Sequence, residues 1–202
     1  MKRKAKRPET FWVLEQAQLR CLVSARRHDI IDQLAARGPM SVRELAAAIH
    51  ARPSALYYHM AALLRVGLVV VAGHRVVRRK RELLYASPAP RMRFKRALHD
   101  PRNAKLFVRI AASMTRQMQR DFRRGMRANG AVTAGGSRNL GLFRLVGSPD
   151  ARTLRKINRR LDDVAELLWQ SAGGSGKVLS FAWVMTPVGG KTKTRTAARR
   201  AR

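Results

Sequence analysis

The sequence predicts an α+β fold that is mainly helical and is divided into two regions. Apolar residues recur at steps of three and four over most of the chain, whereas runs with alternating apolar residues are short. Ser87-Pro88-Ala89-Pro90 separates the two regions, because two prolines prevent a helix from continuing. We therefore expect folded regions over about 11–87 and 88–189, with disordered basic tails at 1–10 and 190–202.

Two helices are predicted early in the first region. The first spans 25–37, with Ser24 at the N-cap and Gly38-Pro39 ending it. Its buried face consists of Ile30, Ile31, Leu34 and Ala35. The second helix begins at Ser41 and extends to about Ile49, because Ser41-Val42-Arg43-Glu44 matches a capping box.

A third helix is predicted to begin at Pro53, which suits the first helical position, and to end at Gly67. Its buried stripe consists of Leu56, Met60, Leu63 and Leu64. The outward face carries Tyr57 and Tyr58, and no charged residue occurs from 53 to 64. An ordinary surface helix carries charges, so this face favours insertion into the major groove of DNA.

Two strands, 68–72 and 82–86, are predicted to flank a basic loop over 73–81. The loop carries Arg75, Arg78, Arg79, Lys80 and Arg81. Five like charges repel one another in a free protein, but they become binding contacts against phosphates or in a narrow minor groove. Helices followed by a basic hairpin predict an N-terminal winged helix-turn-helix whose wing is this hairpin.

The net charge indicates a polyanionic partner. The 202 residues include 43 Lys and Arg but only 12 Asp and Glu, which gives a formal net charge of +31. Nucleic acid is the expected partner, because neutralising phosphates releases condensed counterions. An arginine-rich proteome and an acidic membrane surface are the alternative explanations of this charge.

The stretch from about Leu14 to Tyr85 resembles the ArsR-type winged-helix family of bacterial repressors. The resemblance is carried by Ser41-Val42-Arg43-Glu44-Leu45-Ala46, by Ser54-Ala55-Leu56-Tyr57-Tyr58-His59-Met60 and by Gly67-Leu68-Val69. The run from Leu56 through Leu68 is similar to the "LYYHL…L…GLV" signature of one branch of that family. The resemblance implies double-stranded DNA as the ligand, with Ser54 and the two tyrosines facing the groove and 75–81 as the wing.

The predicted DNA-binding residues form two sets. Those of the recognition helix are Arg52, Ser54, Tyr57, Tyr58 and His59, and those of the wing are Arg75, Arg78, Arg79, Lys80 and Arg81. Arg52 stands where the family often has a small capping residue, and it adds a cation within reach of a phosphate. His59 is expected to support the helix.

We expect no catalytic, metal or cofactor site. The sequence contains no Ser/His/Asp grouping, no phosphate-cradling glycine loop and no metal-ligand spacing, and its five histidines are isolated. The single cysteine, Cys21, excludes an internal disulfide and fits a reducing cytosol. No apolar run approaches the roughly 20 residues of a membrane span. These features predict a cytoplasmic, nucleoid-associated protein that is neither an enzyme nor a membrane protein.

Two amphipathic helices are predicted in the second region. The first spans 102–128, with one apolar face and one arginine-rich face. The second follows Ser148-Pro149-Asp150, with the proline at its first position. Its short heptad seam consists of Leu154, Ile157, Leu161, Val164 and Leu168. Alternating apolar residues at 140–146 and 177–185 complete a predicted β-α-β unit, and we expect this region to mediate dimerisation or to bind a small-molecule effector.

These observations favour a repressor-like DNA-binding transcriptional regulator. We expect it to be a homodimer, because a dimer on two symmetric half-sites contacts twice as many base pairs as one subunit. The alternative is a nucleoid-type or RNA-binding protein that uses its charge without sequence preference.

Overall fold

The computed structural model describes residues 8–188, so the predicted tails fall almost entirely outside the described residues. The mixed α+β class is confirmed. In chain order the elements are β1 (Thr10–Trp12), α1 (Gln16–Cys21), α2 (Ala25–Arg37), α3 (Val42–Ala48), α4 (Pro53–Arg65), β2 (Val70–Val77), β3 (Lys80–Ala86), β4 (Arg91–Arg93), α5 (Lys95–Leu98), a 3₁₀ turn (Pro101–Asn103), α6 (Ala104–Met126) and α7 (Ala151–Gln170).

The first helices begin and end where their local sequence requires it. Gly38, with a φ of 85°, ends α2, and its amide donates to the carbonyl of Leu34 at 3.2 Å. The predicted capping box begins α3: the Glu44 amide donates to Ser41 Oγ at 3.3 Å, and the Ser41 amide donates to Glu44 Oε2 at 2.8 Å. Pro53 is the first residue of α4. Ser24 stands at the N-cap of α2, but its side chain makes no capping hydrogen bond.

The core lies where α1 to α4 meet, and α6 covers one side of it. Its fully buried side chains include Leu19, Ile30, Leu45, Leu56, Leu63 and Leu68. Burial of each such side chain contributes about 1.5–3 kcal/mol to stability. From α6, Ile110 joins this cluster at 3% exposure. The packing fixes α4 with one face inward and the opposite face in solvent.

The hairpin of β2 and β3 is antiparallel and joined to the helices. Tyr85 and Met40 exchange backbone hydrogen bonds of 2.8 and 2.9 Å, so β3 also pairs with the residue that precedes the α3 cap. The predicted nine-residue loop is wrong in length, because Val77 pairs with Lys80 and leaves a two-residue turn. Residues 73–77 and 80–84 continue the ladder, with the side chains of His74, Lys80 and Arg81 in solvent and that of Glu82 partly buried.

A second pair of strands was not predicted. β1 and β4 are parallel, with Thr10 opposite Arg91 and Trp12 opposite Arg93. Parallel strands need a long crossover connection, and the segment from α1 to β3 provides it. This pair ties the start of the described chain to the segment that follows the proline-rich join.

The predicted β-α-β element of the second region is wrong. Residues 140–146 and 177–185 form no strand, and Leu145 is 89% exposed. An alternating pattern shows which side chains share a face, but a strand also needs a neighbour for its backbone amides and carbonyls. Within residues 8–188 neither segment pairs with a strand, although the Leu140 amide donates to the carbonyl of Val132 at 3.1 Å. Pro149 also lies outside α7, since Asp150 is the N-cap and accepts from the Thr153 amide at 2.7 Å.

Candidate nucleic-acid interface

The outward face of α4 is uncharged and partly aromatic from Pro53 to Leu64, and the exposed Arg65 ends it. Leu56, Met60 and Leu63 point inward and are at most 2% exposed. Tyr57 and Tyr58 are 59% and 73% exposed, and Ser54 is also in solvent. The face therefore offers hydroxyl groups and aromatic edges that can approach base edges.

The wing narrows to a turn of two arginines. Arg78 and Arg79 have φ values of 48° and 63°, so both adopt the left-handed conformation of a type I′ hairpin turn. Asn-Gly is the usual sequence in such a turn. A Cβ disfavours the left-handed conformation, glycine has no Cβ, and asparagine compensates with a local hydrogen bond from its short side chain. Both arginines of the turn are exposed, and so are the adjoining Lys80 and Arg81.

Most of the predicted cations are not neutralised by carboxylates. Within residues 8–188, Arg52, Arg78, Arg79 and Lys80 form no ion pair. Arg81 approaches Nδ1 of His74 at 3.2 Å. These side chains can meet phosphates without first breaking a salt bridge.

Arg75 is placed differently from the other wing cations. Its guanidinium contacts Glu44 Oε1 at 2.9 Å and Glu82 Oε2 at 2.8 Å, and Nη2 lies 3.5 Å from Ser41 Oγ. Burial disfavours ionisation of Glu44, but hydrogen bonds from Ser41 and Arg75 outweigh it and lower the pKa of that carboxyl. Arg75 thus joins the wing to the start of α3.

The family model for a helix-turn-helix domain matches residues 24–72, which span α2 to the start of β2. The chain therefore contains a helix-turn-helix domain. No curated protein shows significant similarity to the chain. The family match indicates a DNA-binding regulator, with α3 and α4 as the two helices of the motif.

The turn of the helix-turn-helix contains a strained residue. His50 lies between the two helices with a φ of 52°. The following amide, of Ala51, donates to the carbonyl of Ala46 at 2.8 Å and closes the turn. The angle between α3 and α4 therefore depends on a left-handed residue that is not glycine.

Arg27 and His59 support Tyr58 from inside the helix-turn-helix domain. The rings of Tyr58 and His59 meet edge to face at 5.6 Å, and the guanidinium carbon of Arg27 lies 5.8 Å from the Tyr58 centroid. Arg27 is held by a 3.0 Å hydrogen bond to the carbonyl of Cys21. Burial lowers the pKa of His59, and the nearby Arg27 and Arg26 lower it further. These effects favour the uncharged imidazole of His59, whose ring packs edge to face against that of Tyr58.

Sequence reasoning missed Arg27 as part of this surface. The residue lies in α2, 31 positions before Tyr58, and only the tertiary contact between α2 and α4 brings them together. Tyr85 was likewise missed. Partial burial raises the pKa of Tyr85, and the nearby Tyr57 raises it further, so the base of the wing adjoins α4.

A cavity of about 780 Å³ lies between α2, α6 and residues 177–182. Its walls include Met114, Trp169 and Phe181. Asp32 lines the cavity and is exposed there, but the protein atoms near its carboxyl reduce its solvation. This loss of solvation raises the pKa of Asp32; a 3.2 Å hydrogen bond from Gln117 opposes the shift, and Asp29 and Asp121 reinforce it.

No helix among residues 8–188 is long and apolar enough to cross a membrane. In the same residues, no three His, Cys, Asp or Glu side chains come together in a way that could hold a metal ion.

Proposed function

We propose that the protein is a sequence-specific transcriptional regulator of the ArsR-like winged-helix type, acting as a dimeric repressor. In this proposal α4 enters the major groove of double-stranded DNA, and the wing contacts the backbone or the minor groove. The observation that carries it is that one domain combines a tyrosine-bearing face of α4, uncharged from Pro53 to Leu64, with a hairpin tip whose cations have no carboxylate partner within residues 8–188. An uncharged helix face suits base edges, whereas unpaired cations suit phosphates.

The ten predicted site residues divide into three roles. Ser54, Tyr57 and Tyr58 read base edges. Arg52 and the four cations from Arg78 to Arg81 bind phosphates. Arg75 and His59 position the other residues, since Arg75 is already neutralised by Glu44 and Glu82 and His59 packs behind Tyr58.

The first experiment is recovery of genomic fragments bound by the protein, followed by footprinting and competition against random DNA. Sharp protection of a two-fold symmetric site, with discrimination that persists at moderate salt, supports the proposal. Uniform coating that disappears with salt favours the nucleoid-type or RNA-binding alternative, which the net charge of +31 would explain.

Two variants test the division of roles. Replacing Tyr57 and Tyr58 with Ala should reduce the ratio of specific to random affinity. Replacing Arg78, Arg79 and Arg81 with Ala should weaken binding to all sequences and reduce the salt slope by about 0.9 per lost phosphate contact. A matched control removes three exposed arginines of α6, Arg109, Arg116 and Arg123, and should change the slope less. Equal losses in all three variants would contradict the assignment.

A small-molecule effector is a further part of the proposal. The cavity between α2 and α6 supports this site, because it combines apolar walls with a few carboxylates. Screening ligands for a shift in melting temperature, and then for release of DNA, tests it. The cytoplasmic, nucleoid-associated location is proposed from the same DNA-binding role.

A further inference from the structure

Two helices bring carboxylates together at the cavity between α2, α6 and residues 177–182. Asp29 and Asp32 lie one turn apart on α2, and Gln117 and Asp121 lie one turn apart on α6. Gln117 Nε2 donates to Asp32 Oδ2 at 3.2 Å, so the two helices meet at this point. All four side chains line the cavity. Three of the 12 acidic residues therefore gather at one cavity, in a chain that carries 43 Lys and Arg.

Asp32 is the least compensated of these carboxylates. Asp29 pairs with Arg26 at 3.6 Å, and Asp121 pairs with Arg124 at 3.9 Å. In the part of the chain that the structure describes, Asp32 forms no ion pair. Desolvation and the charges of Asp29 and Asp121 raise the pKa of Asp32 to about 7, although the hydrogen bond from α6 lowers it. A positive group beside Asp32 would relieve this repulsion and favour the ionised carboxylate.

The histidine next to this cluster adds no positive charge to oppose a cation. His28 also lines the cavity; it is 7% exposed, and its Nε2 has no hydrogen-bond partner among the described residues. Burial lowers the pKa of His28, although a backbone hydrogen bond with Leu22 and the charge of Asp29 oppose the shift. The neutral imidazole that burial favours has an acceptor nitrogen and no charge.

Other parts of the cavity wall suit an apolar body. They include the side chains of Met92, Phe94, Met114, Met118 and Phe181. Aromatic faces attract cations, and thioethers adapt to ligands of different shape. A volume of about 780 Å³ falls within the range of sites that enclose a drug-sized ligand. Hard metal ions need several oxygen ligands, which these five side chains do not offer.

We propose that the cavity binds an amphipathic organic cation, with its positive centre beside Asp32 and its apolar part against the methionines and Phe181. The carboxylates select the charge of the ligand, and the apolar walls select its body. The net charge of +31 repels cations from the surface as a whole, so a bound cation reports a local site. This inference rests on the proposed function only in treating the ligand as an effector. Binding is measured without DNA, so the two can fail separately.

Calorimetric titration of the full-length protein tests the proposal. The cationic probes are tetraphenylphosphonium and benzyltrimethylammonium, and triphenylphosphine oxide is the uncharged control. Both cations should bind at one site per chain. The uncharged control should bind at least about tenfold more weakly than tetraphenylphosphonium, because it gains no attraction from the carboxylates.

The variant D32N removes one negative charge at the cavity and nearly preserves the side-chain shape. It should weaken binding of both cations about tenfold and leave binding of triphenylphosphine oxide unchanged. D162N is the matched control, because Asp162 is exposed on α7 and does not line the cavity, and it should change neither. D32N should melt no lower than the wild type, because it relieves repulsion with Asp29 and Asp121.

The affinity for the cations should also depend on pH. It should rise from roughly pH 6 to 8 as Asp32 ionises, and it should rise less in D32N. The other titratable groups at the cavity are His28, Asp29 and Asp121, and they account for the dependence that remains in D32N. The cavity is also lined by residues that stay cationic over this range: Arg37, Arg124 and Lys177.

A wild-type protein that binds neither cation, or that binds triphenylphosphine oxide as tightly as tetraphenylphosphonium, overturns the proposal. Equal affinity of D32N and the wild type for both cations does so as well. A protein that binds the cations as expected but ignores DNA would refute only the proposed function. A protein that selects a DNA site but binds neither cation would refute only this inference.

Discussion

The wing tip should be strained, and replacing its two arginines with the usual turn sequence should relieve that strain. Arg78 and Arg79 have φ values of 48° and 63° in a two-residue turn between Val77 and Lys80. The variant R78N/R79G installs Asn-Gly, the sequence that type I′ turns favour. The change leaves the strand ladder intact and removes two cations.

The expected gain in stability follows from the backbone angles. A left-handed conformation costs an ordinary residue about 1–2 kcal/mol. Glycine offsets about 0.5–1 kcal/mol of this gain, because it loses more conformational freedom on folding than other residues. The variant should therefore be more stable by about 1–2 kcal/mol, which for a protein of this size raises the melting temperature by about 2–8 °C.

The same variant should bind DNA less tightly. Loss of two phosphate contacts reduces the slope of log affinity against log salt by about 1.8. Thermal melting and salt titrations of binding to a fluorescent duplex measure the two effects on one protein. We expect them to move in opposite directions.

R78Q/R79Q separates backbone strain from charge repulsion. It removes the same two charges but keeps a Cβ at each position, so it should lose DNA affinity without the full gain in stability. If the glutamine variant melts as high as R78N/R79G, relief of repulsion explains the gain and the strain argument fails. If R78N/R79G melts below the wild type, the turn is not strained at all.

Three further predictions concern the helix-turn-helix domain. S41A should destabilise the protein by about 1 kcal/mol in urea unfolding, because Ser41 caps α3, and an unchanged midpoint would show that Glu44 caps alone. H50G should stabilise it by roughly 0.5 kcal/mol, because the left-handed backbone suits glycine, and a loss would show that the imidazole makes a contact that matters. Burial lowers the pKa of His28 in the folded protein, although a backbone hydrogen bond with Leu22 and the charge of Asp29 oppose the shift. At a pH between the folded and the unfolded pKa of His28, the unfolded state therefore binds more protons than the folded state. Melting temperature should therefore fall as the pH is lowered from neutral through about 6.5, and H28Q should fall less; equal falls would assign the effect to other groups.

The helices were predictable because their signals are local. The capping box of Ser41 and Glu44, Pro53 at the start of α4 and Gly38 after α2 each act within one turn of the chain. The strand pattern at 177–185 failed for the opposite reason, since pairing depends on a distant edge. The tyrosines of α4 were recognisable as exposed because the buried stripe of that helix is strictly periodic.

The contacts of individual cations could not be predicted. Arg75 stands in a run of wing cations, and nothing in that run distinguishes it from Arg78 or Arg79. Its pairing with Glu44 arises only when the hairpin folds back over the start of α3. The support of Tyr58 by Arg27 depends in the same way on helix packing.

The few carboxylates of the chain hold the cations that position its elements. Glu44 and Glu82 neutralise Arg75 where the wing meets α3, and Glu9 and Glu166 neutralise Arg91 where β4 meets α7. The wing tip has no such partner within residues 8–188, so its charge is uncompensated until a polyanion approaches. Phosphate binding at the tip therefore breaks no ion pair, and its salt dependence should report the phosphate contacts alone. An acidic residue placed beside the tip, as in V76E, should weaken DNA binding more than the loss of one cation, because it supplies a competitor for the remaining arginines.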